Sequence, residues 1–129
     1  MPLTILVIDD DPVIQKLLSV NFELEGFRVV AASDGPDGIQ RATANPPALI
    51  LLDVMMPRMD GVEVVRRLKA DEKTANIPVI LLSAKAQSGD ITSGLEAGAD
   101  DYVTKPFDPL ELLDKVVALV GPADAGTGS

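Results

Sequence analysis

Three stretches of this chain are apolar at every position and stop abruptly at a polar residue. They are Ile5-Leu6-Val7-Ile8 before Asp9, Leu49-Ile50-Leu51-Leu52 before Asp53, and Val79-Ile80-Leu81-Leu82 before Ser83. Successive side chains of a strand point to opposite faces, so a strand that is apolar throughout must be covered on both. That requirement selects a parallel sheet held between two layers of helices. Strands are expected at Thr4–Ile8, Arg28–Ala32, Ala48–Leu52, Pro78–Leu82 and Asp101–Thr104.

The segments between these runs carry helix start and stop signals. Asp11 before Pro12 reads as an N-cap followed by a first-turn proline, opening a helix from about Pro12 to Glu25 that Gly26 ends. Val13, Ile14, Leu17, Leu18 and Phe22 form its expected apolar stripe. A second helix, near Pro36–Ala44, is stopped by Asn45-Pro46-Pro47. A third follows Asp60-Gly61, with Val62, Val65 and Leu68 on its inner face. A fifth opens at Asp108-Pro109-Leu110-Glu111, a capping-box arrangement, and carries Leu113, Val116, Val117 and Val120. The fourth, near Gln87–Ala97, contains Gly89 and Gly94, each costing about 1 kcal/mol relative to Ala in a helix interior, and is expected to be the least stable. Residues 1–120 read as one doubly wound α/β domain and residues 121–129 as a flexible tail or a truncated linker.

In such a sheet, ligands bind beyond the carboxyl ends of the strands. Those ends carry Asp9-Asp10, Asp53, Ser83 and, after the fifth run, Lys105-Pro106. The chain has no His and no Cys, which excludes a Ser-His-Asp triad, a thiol nucleophile, a disulfide and zinc sites built from those residues. Carboxylates gathered in one crevice repel each other unless a cation or a proton neutralises them, and with oxygen-only ligands the natural cation is Mg²⁺. A Lys ammonium and a Ser hydroxyl suit phosphoryl oxygens, and a carboxylate set between Mg²⁺ and Lys can itself be the nucleophile. Asp53, on the middle run, is the best placed of the three acids. A net charge of −9 opposes direct contact with nucleic acid or an anionic membrane, and no apolar run is long enough to cross a bilayer. The N-terminus resembles no targeting signal, so a cytoplasmic location is expected.

Taken in order, five stretches resemble the receiver domain of bacterial two-component response regulators. These are Ile5 to Asp11, Leu51 to Pro57, Met59-Asp60-Gly61, Leu82-Ser83-Ala84, and Gly94 to Phe107, with 30 residues from Asp53 to Ser83 and 22 from Ser83 to Lys105. The resemblance implies a flavodoxin-like (βα)5 fold with strand order 2-1-3-4-5. It implies Asp53 as phosphoacceptor, and Asp9, Asp10, Asp53 and the Met55 backbone carbonyl as Mg²⁺ ligands. Ser83 and Tyr102 would be the switch pair, and Lys105 the phosphoryl-pairing lysine with a cis bond to Pro106. Met55 and Lys85, each two residues past a key group, would tune the lifetime of the phosphorylated state. The implied donor is a sensor histidine kinase or a histidine phosphotransfer protein. The implied output is a face made by the fourth helix, fifth strand and fifth helix, which would engage a partner, an effector domain or a second copy.

Such a modification is stoichiometric, so the expected role is a switch rather than a turnover enzyme. Two rivals stay open on sequence grounds: a Mg²⁺-dependent aspartyl-phosphate phosphatase, and a binding module that no longer needs phosphorylation. The first would be expected to place a second acid close after the nucleophile, where Val54-Met55 stand here. The second is hard to reconcile with a complete set of site residues.

Overall fold

The computed structural model describes residues 2–85 and 87–123. Among them the chain forms five strands and five helices in strict alternation: β1 (Thr4–Ile8), α1 (Pro12–Leu24), β2 (Arg28–Ala32), α2 (Gly35–Ala44), β3 (Leu49–Asp53), α3 (Gly61–Ala70), β4 (Val79–Ser83), α4 (Ser88–Glu96), β5 (Asp101–Thr104) and α5 (Pro109–Val120). All strand pairs are parallel and the order is β2-β1-β3-β4-β5.

The continuous apolar runs divide between two cores. Leu6, Ile8, Ile50, Leu52, Val79 and Leu81 face one side, where they meet Ala42 of α2, Val64, Val65 and Leu68 of α3, and Ala97 just beyond α4. Ile5, Val7, Leu49, Leu51, Ile80 and Leu82 face the other, against Leu18 and Phe22 of α1 and Leu112 and Val116 of α5. Each such side chain contributes about 1.5–3 kcal/mol relative to leaving it in water, so the three inner strands fix the sandwich.

Several expectations are corrected in detail. β3 and β4 each run one residue further than their apolar stretch, because Asp53 still pairs with Leu82 and Ser83 with Thr104 in the ladder. On α1 only Leu18 and Phe22 are buried; Val13 is 70% and Leu17 37% exposed, so the expected stripe mixes the core face with a second apolar face turned to solvent. On α5 Leu112 is the buried leucine, with Leu113 only partly covered. Asp108 caps α5 by accepting the Leu110 N–H at 2.9 Å, one position earlier than a capping box uses. The packed chain also continues past the expected boundary at 120. Ala123 is buried and its carbonyl accepts the Leu3 N–H at 2.8 Å, while residues 124–129 of the expected tail lie outside the described residues.

The two glycines of α4 differ. A Cβ on Gly94 would come within 2.7 Å of Leu81 Cδ1 and 3.1 Å of the Tyr102 ring, so this glycine lets α4 lie close against β4 and β5. Around Gly89 a Cβ would meet nothing within 4 Å. The N-cap Gln87 also makes no side-chain cap bond, which leaves the first turn of α4 weakly held. Gly89→Ala is therefore expected to stabilise the domain by about 0.5–1 kcal/mol, read as a rise of a few degrees in thermal midpoint by circular dichroism. A midpoint that falls would show that the first turn of α4 needs glycine for some other reason.

Candidate functional site

The ladder carries each site residue to the same edge of the sheet. β1 ends at Ile8, and the Asp9 N–H still donates to the Ala32 carbonyl at 3.1 Å, so Asp9 is held as an extension of the strand and is fully buried. Asp10 is exposed beside it. Asp53 is the last residue of the central strand and is 5% exposed. The Lys105 N–H donates to the Ser83 carbonyl at 2.8 Å, extending the β4–β5 pairing by one step and returning the lysine side chain over the sheet edge. The Lys105–Pro106 peptide bond is cis.

Lys105 Nζ lies 3.2 Å from Asp9 Oδ2 and 3.3 Å from Asp53 Oδ1. One ammonium thus faces two buried carboxylates, with Asp10 adding a third acid nearby. Carboxylate oxygens of Asp9, Asp10 and Asp53 all lie within 4.8 Å of one another. Burial lifts the Asp53 carboxyl above its ordinary range and Asp9 lifts it further; Lys105 and the Met55 N–H oppose the lift without cancelling it. Burial would lower the Lys105 ammonium, but the attraction of Asp9 and Asp53 outweighs it and holds the group above its ordinary value. The pocket therefore carries more negative charge than its one lysine balances. Its donors are all hard oxygens, which fits a divalent cation of the Mg²⁺ type.

Asp53 Oδ1 also accepts the Met55 N–H at 3.3 Å, while Oδ2 takes no hydrogen bond among the described residues. No buried side-chain polar atom among those residues lacks a partner, so Oδ2 is open to solvent. Ser83 is fully buried and its Oγ accepts the Lys85 N–H at 3.0 Å. Tyr102 reaches the same loop, donating its hydroxyl to the Lys85 carbonyl at 2.8 Å. Met55 and Lys85 thus touch the site through their backbone N–H groups, and both residues are exposed.

Asp11 acts as the helix cap, accepting the Val13 N–H at 2.8 Å. Asp100 accepts the Val79 N–H at 2.8 Å and closes the start of β4. Gln15 was not a candidate, yet its amide bonds to the Asp9 and Ala32 carbonyls. A glutamine on an amphipathic helix has no sequence signature that marks such a role.

Comparison with known proteins agrees with this architecture. The family model described as the response regulator receiver domain matches residues 5–117. The DNA-binding dual master transcriptional regulator RpaA of Synechocystis is 49% identical over 120 residues, covering 93% of this chain and 50% of that protein. The phosphate regulon transcriptional regulatory protein PhoB of Pseudomonas aeruginosa is 42% identical over 125 residues, covering 95% of this chain and 55% of that protein. The chain thus spans about half the length of these curated relatives. Among solved structures, the receiver domain of sensor histidine kinase PA1611 from Pseudomonas aeruginosa has a magnesium ion coordinated in its active-site cleft. It superposes with a TM-score of 0.86 at 32% identity, covering 94% of this chain and 99% of that one. The chemotaxis protein CheY4 of Vibrio cholerae gives a TM-score of 0.87 at 26% identity, covering 92% of this chain and 99% of that one. With the family model spanning nearly the whole α/β domain, this chain belongs to the response regulator receiver domain family.

Proposed function

We propose that the domain is a phosphorylation-operated switch in which Asp53 accepts a phosphoryl group from a phosphohistidine or a small acyl phosphate. The phosphohistidine would be carried by a sensor histidine kinase or a histidine phosphotransfer protein of the cytoplasm. The observation that carries this reading is the Lys105 ammonium held between Asp9 and Asp53 at 3.2 and 3.3 Å, with Asp53 Oδ2 left open.

In the transfer, Asp53 Oδ2 forms a bond to phosphorus as the bond to the donor nitrogen or oxygen breaks, and the donor leaves with that electron pair. Asp9, Asp10, Asp53 and the Met55 carbonyl would hold Mg²⁺, which when bound supplies positive charge to the phosphoryl oxygens. The magnesium in the related kinase receiver supports that assignment. Lys105 offers a second positive charge to the same oxygens and gives up part of its pairing with Asp9 and Asp53 to do so. Ser83 Oγ accepts the Lys85 N–H and donates to no group among the described residues, so its proton is available to a phosphoryl oxygen. Drawing Ser83 inward pulls the loop that holds Lys85, and Tyr102 is tied to that loop through the Lys85 carbonyl. The face of α4, β5 and α5 would feel the change and engage an output partner, an effector domain or a second copy. Side chains at Met55 and Lys85 would set how readily water reaches the aspartyl phosphate.

The test is intact mass after incubation with acetyl phosphate. Wild type is expected to gain one phosphoryl group with Mg²⁺ and none with EDTA, and Asp53→Asn is expected to gain none under either condition. An adduct that persists in Asp53→Asn would move the acceptor elsewhere. Repeated hydrolysis of a phosphate ester without a captured adduct would favour a phosphatase.

A further inference from the structure

We infer that Gln15 is a positioning residue for the cation-binding acids, stapling the loop after β1 to the loop after β2. Its amide nitrogen lies 2.6 Å from the Asp9 carbonyl, 3.2 Å from the Ala32 carbonyl and 3.3 Å from Ser33 Oγ. Both carbonyls can only accept, so the partners themselves require the NH₂ end of the side chain to face them.

The location gives these bonds their consequence. The β1–β2 ladder ends at Ile8 opposite Ala32, and the Asp9 N–H to Ala32 carbonyl bond is the last backbone link between the two strands. Gln15 adds one more link beyond it. Because a peptide unit is planar, fixing the Asp9 carbonyl fixes the plane from which Asp10 departs. Asp10 is the exposed member of the acid cluster and has no strand of its own to hold it. Gln15 is half-buried on α1, so its amide reaches these carbonyls from a rigid element. Loss of the amide would leave the Asp9 side chain in place, packed and bonded to Lys105 and to the Asp11 N–H, but would free the Asp9–Asp10 peptide to rotate.

This inference rests on the cation-binding role proposed for Asp9 and Asp10, and its test separates the two. Mg²⁺ would be titrated into ¹⁵N-labelled protein, following the Asp10 and Ser33 amides, for wild type, Gln15→Met and Gln15→Glu. Gln15→Met keeps the length of the side chain and removes both donors. Gln15→Glu removes the donors while adding negative charge, which by charge alone would tighten Mg²⁺ binding. The expected result is a dissociation constant raised about 3- to 10-fold in both variants, below the roughly 10- to 100-fold that direct partners of metal ligands contribute, because Gln15 holds the backbone and not a ligand carboxylate. The measurement is made well below the thermal midpoint, so a purely structural role would lower the midpoint and leave the constant unchanged; that outcome overturns the inference. Tighter binding by Gln15→Glu with Gln15→Met unchanged overturns it as well. A wild type that binds no Mg²⁺ defeats the functional reading first, and this inference with it.

Discussion

Lys105→Met is expected to lose about 2–4 kcal/mol of stability at neutral pH, toward the lower part of the range for breaking a buried ion pair because water reaches the pocket mouth. The substitution keeps most of the apolar stem and removes only the charge that faces Asp9 and Asp53 at 3.2 and 3.3 Å. Those two carboxylates are 0% and 5% exposed as residues, so they cannot recover full hydration when the ammonium leaves. The pH dependence follows from the direction of each shift. Lys105 is held above its ordinary 10.5, so its contribution is complete below that value and is lost only as pH rises through the raised one; at neutral pH all of it is at stake. Asp53 is held above its ordinary 3.8, so its protonated form is the one that favours folding. Stability linked to Asp53 is therefore complete below 3.8 and is lost as pH rises through the raised value. Without Lys105 that value moves further up.

The deficit of Lys105→Met should accordingly be smaller at an acidic pH nearer the carboxylate range than at neutral pH, and Mg²⁺ should restore more stability to the variant than to wild type. Urea unfolding followed by circular dichroism, at both pH values with and without Mg²⁺, checks each part. The same variant is expected to take phosphate from acetyl phosphate about a hundredfold more slowly, the loss typical of removing one preorganised donor to developing charge. A variant as stable as wild type at neutral pH would mean that the lysine and the two acids do not hold one another as the geometry describes.

The layered sheet was legible because its inner strands have no polar face to hide. Alternation within Ile50-Leu51-Leu52 sends Ile50 and Leu52 to one core and Leu51 to the other, and only two covered faces accommodate that. Boundaries were less legible. Asp53 and Ser83 look like the first loop residues after an apolar run, yet backbone pairing ignores side-chain polarity and keeps both in the ladder. Helix faces were ambiguous wherever a helix is apolar on more than one side. On α1, Ile14, Leu18 and Phe22 turn inward while Val13, Leu17, Val20 and Leu24 form an exposed row, and a 3.6-residue period by itself cannot say which row is the core. The site itself joins residues 52 and 96 positions apart in the chain. Strand-end reasoning brought the acids, the serine and the lysine to one edge, whereas the roles proposed for Tyr102, Met55 and Lys85 rest on the family resemblance.

The second large effect concerns a residue that touches no ligand. Gly61→Ala is expected to destabilise the domain by about 2–3 kcal/mol, although the same change at Gly89 is expected to stabilise it. Gly61 is the first residue of α3, capped by Asp60, whose carboxylate accepts the Glu63 N–H at 2.9 Å. A helix favours alanine over glycine, so propensity alone predicts a gain. Space decides otherwise. A Cβ at Gly61 would lie 2.5 Å from the Asp53 carbonyl oxygen and 2.8 Å from the Val54 Cα. Both are backbone atoms, so no rotamer change relieves the overlap; either the start of α3 or the end of β3 must shift. The end of β3 is held by the Val54 N–H bond to the Leu82 carbonyl at 3.0 Å, and α3 is tied to it by the Gly61 N–H bond to the Val54 carbonyl at 2.9 Å. Strain at Gly61 is thereby delivered to the peptide after Asp53 and to the Met55 N–H that bonds its carboxylate. The variant should therefore label more slowly with acetyl phosphate as well as melt earlier, whereas Gly89→Ala should label like wild type. Measuring thermal midpoints and labelling rates for the two variants side by side tests whether α3 is packed directly onto the backbone of Asp53, the proposed phosphoacceptor. A Gly61→Ala protein that melts at or above the wild-type temperature would show that the close approach is absent and that the glycine serves no packing role.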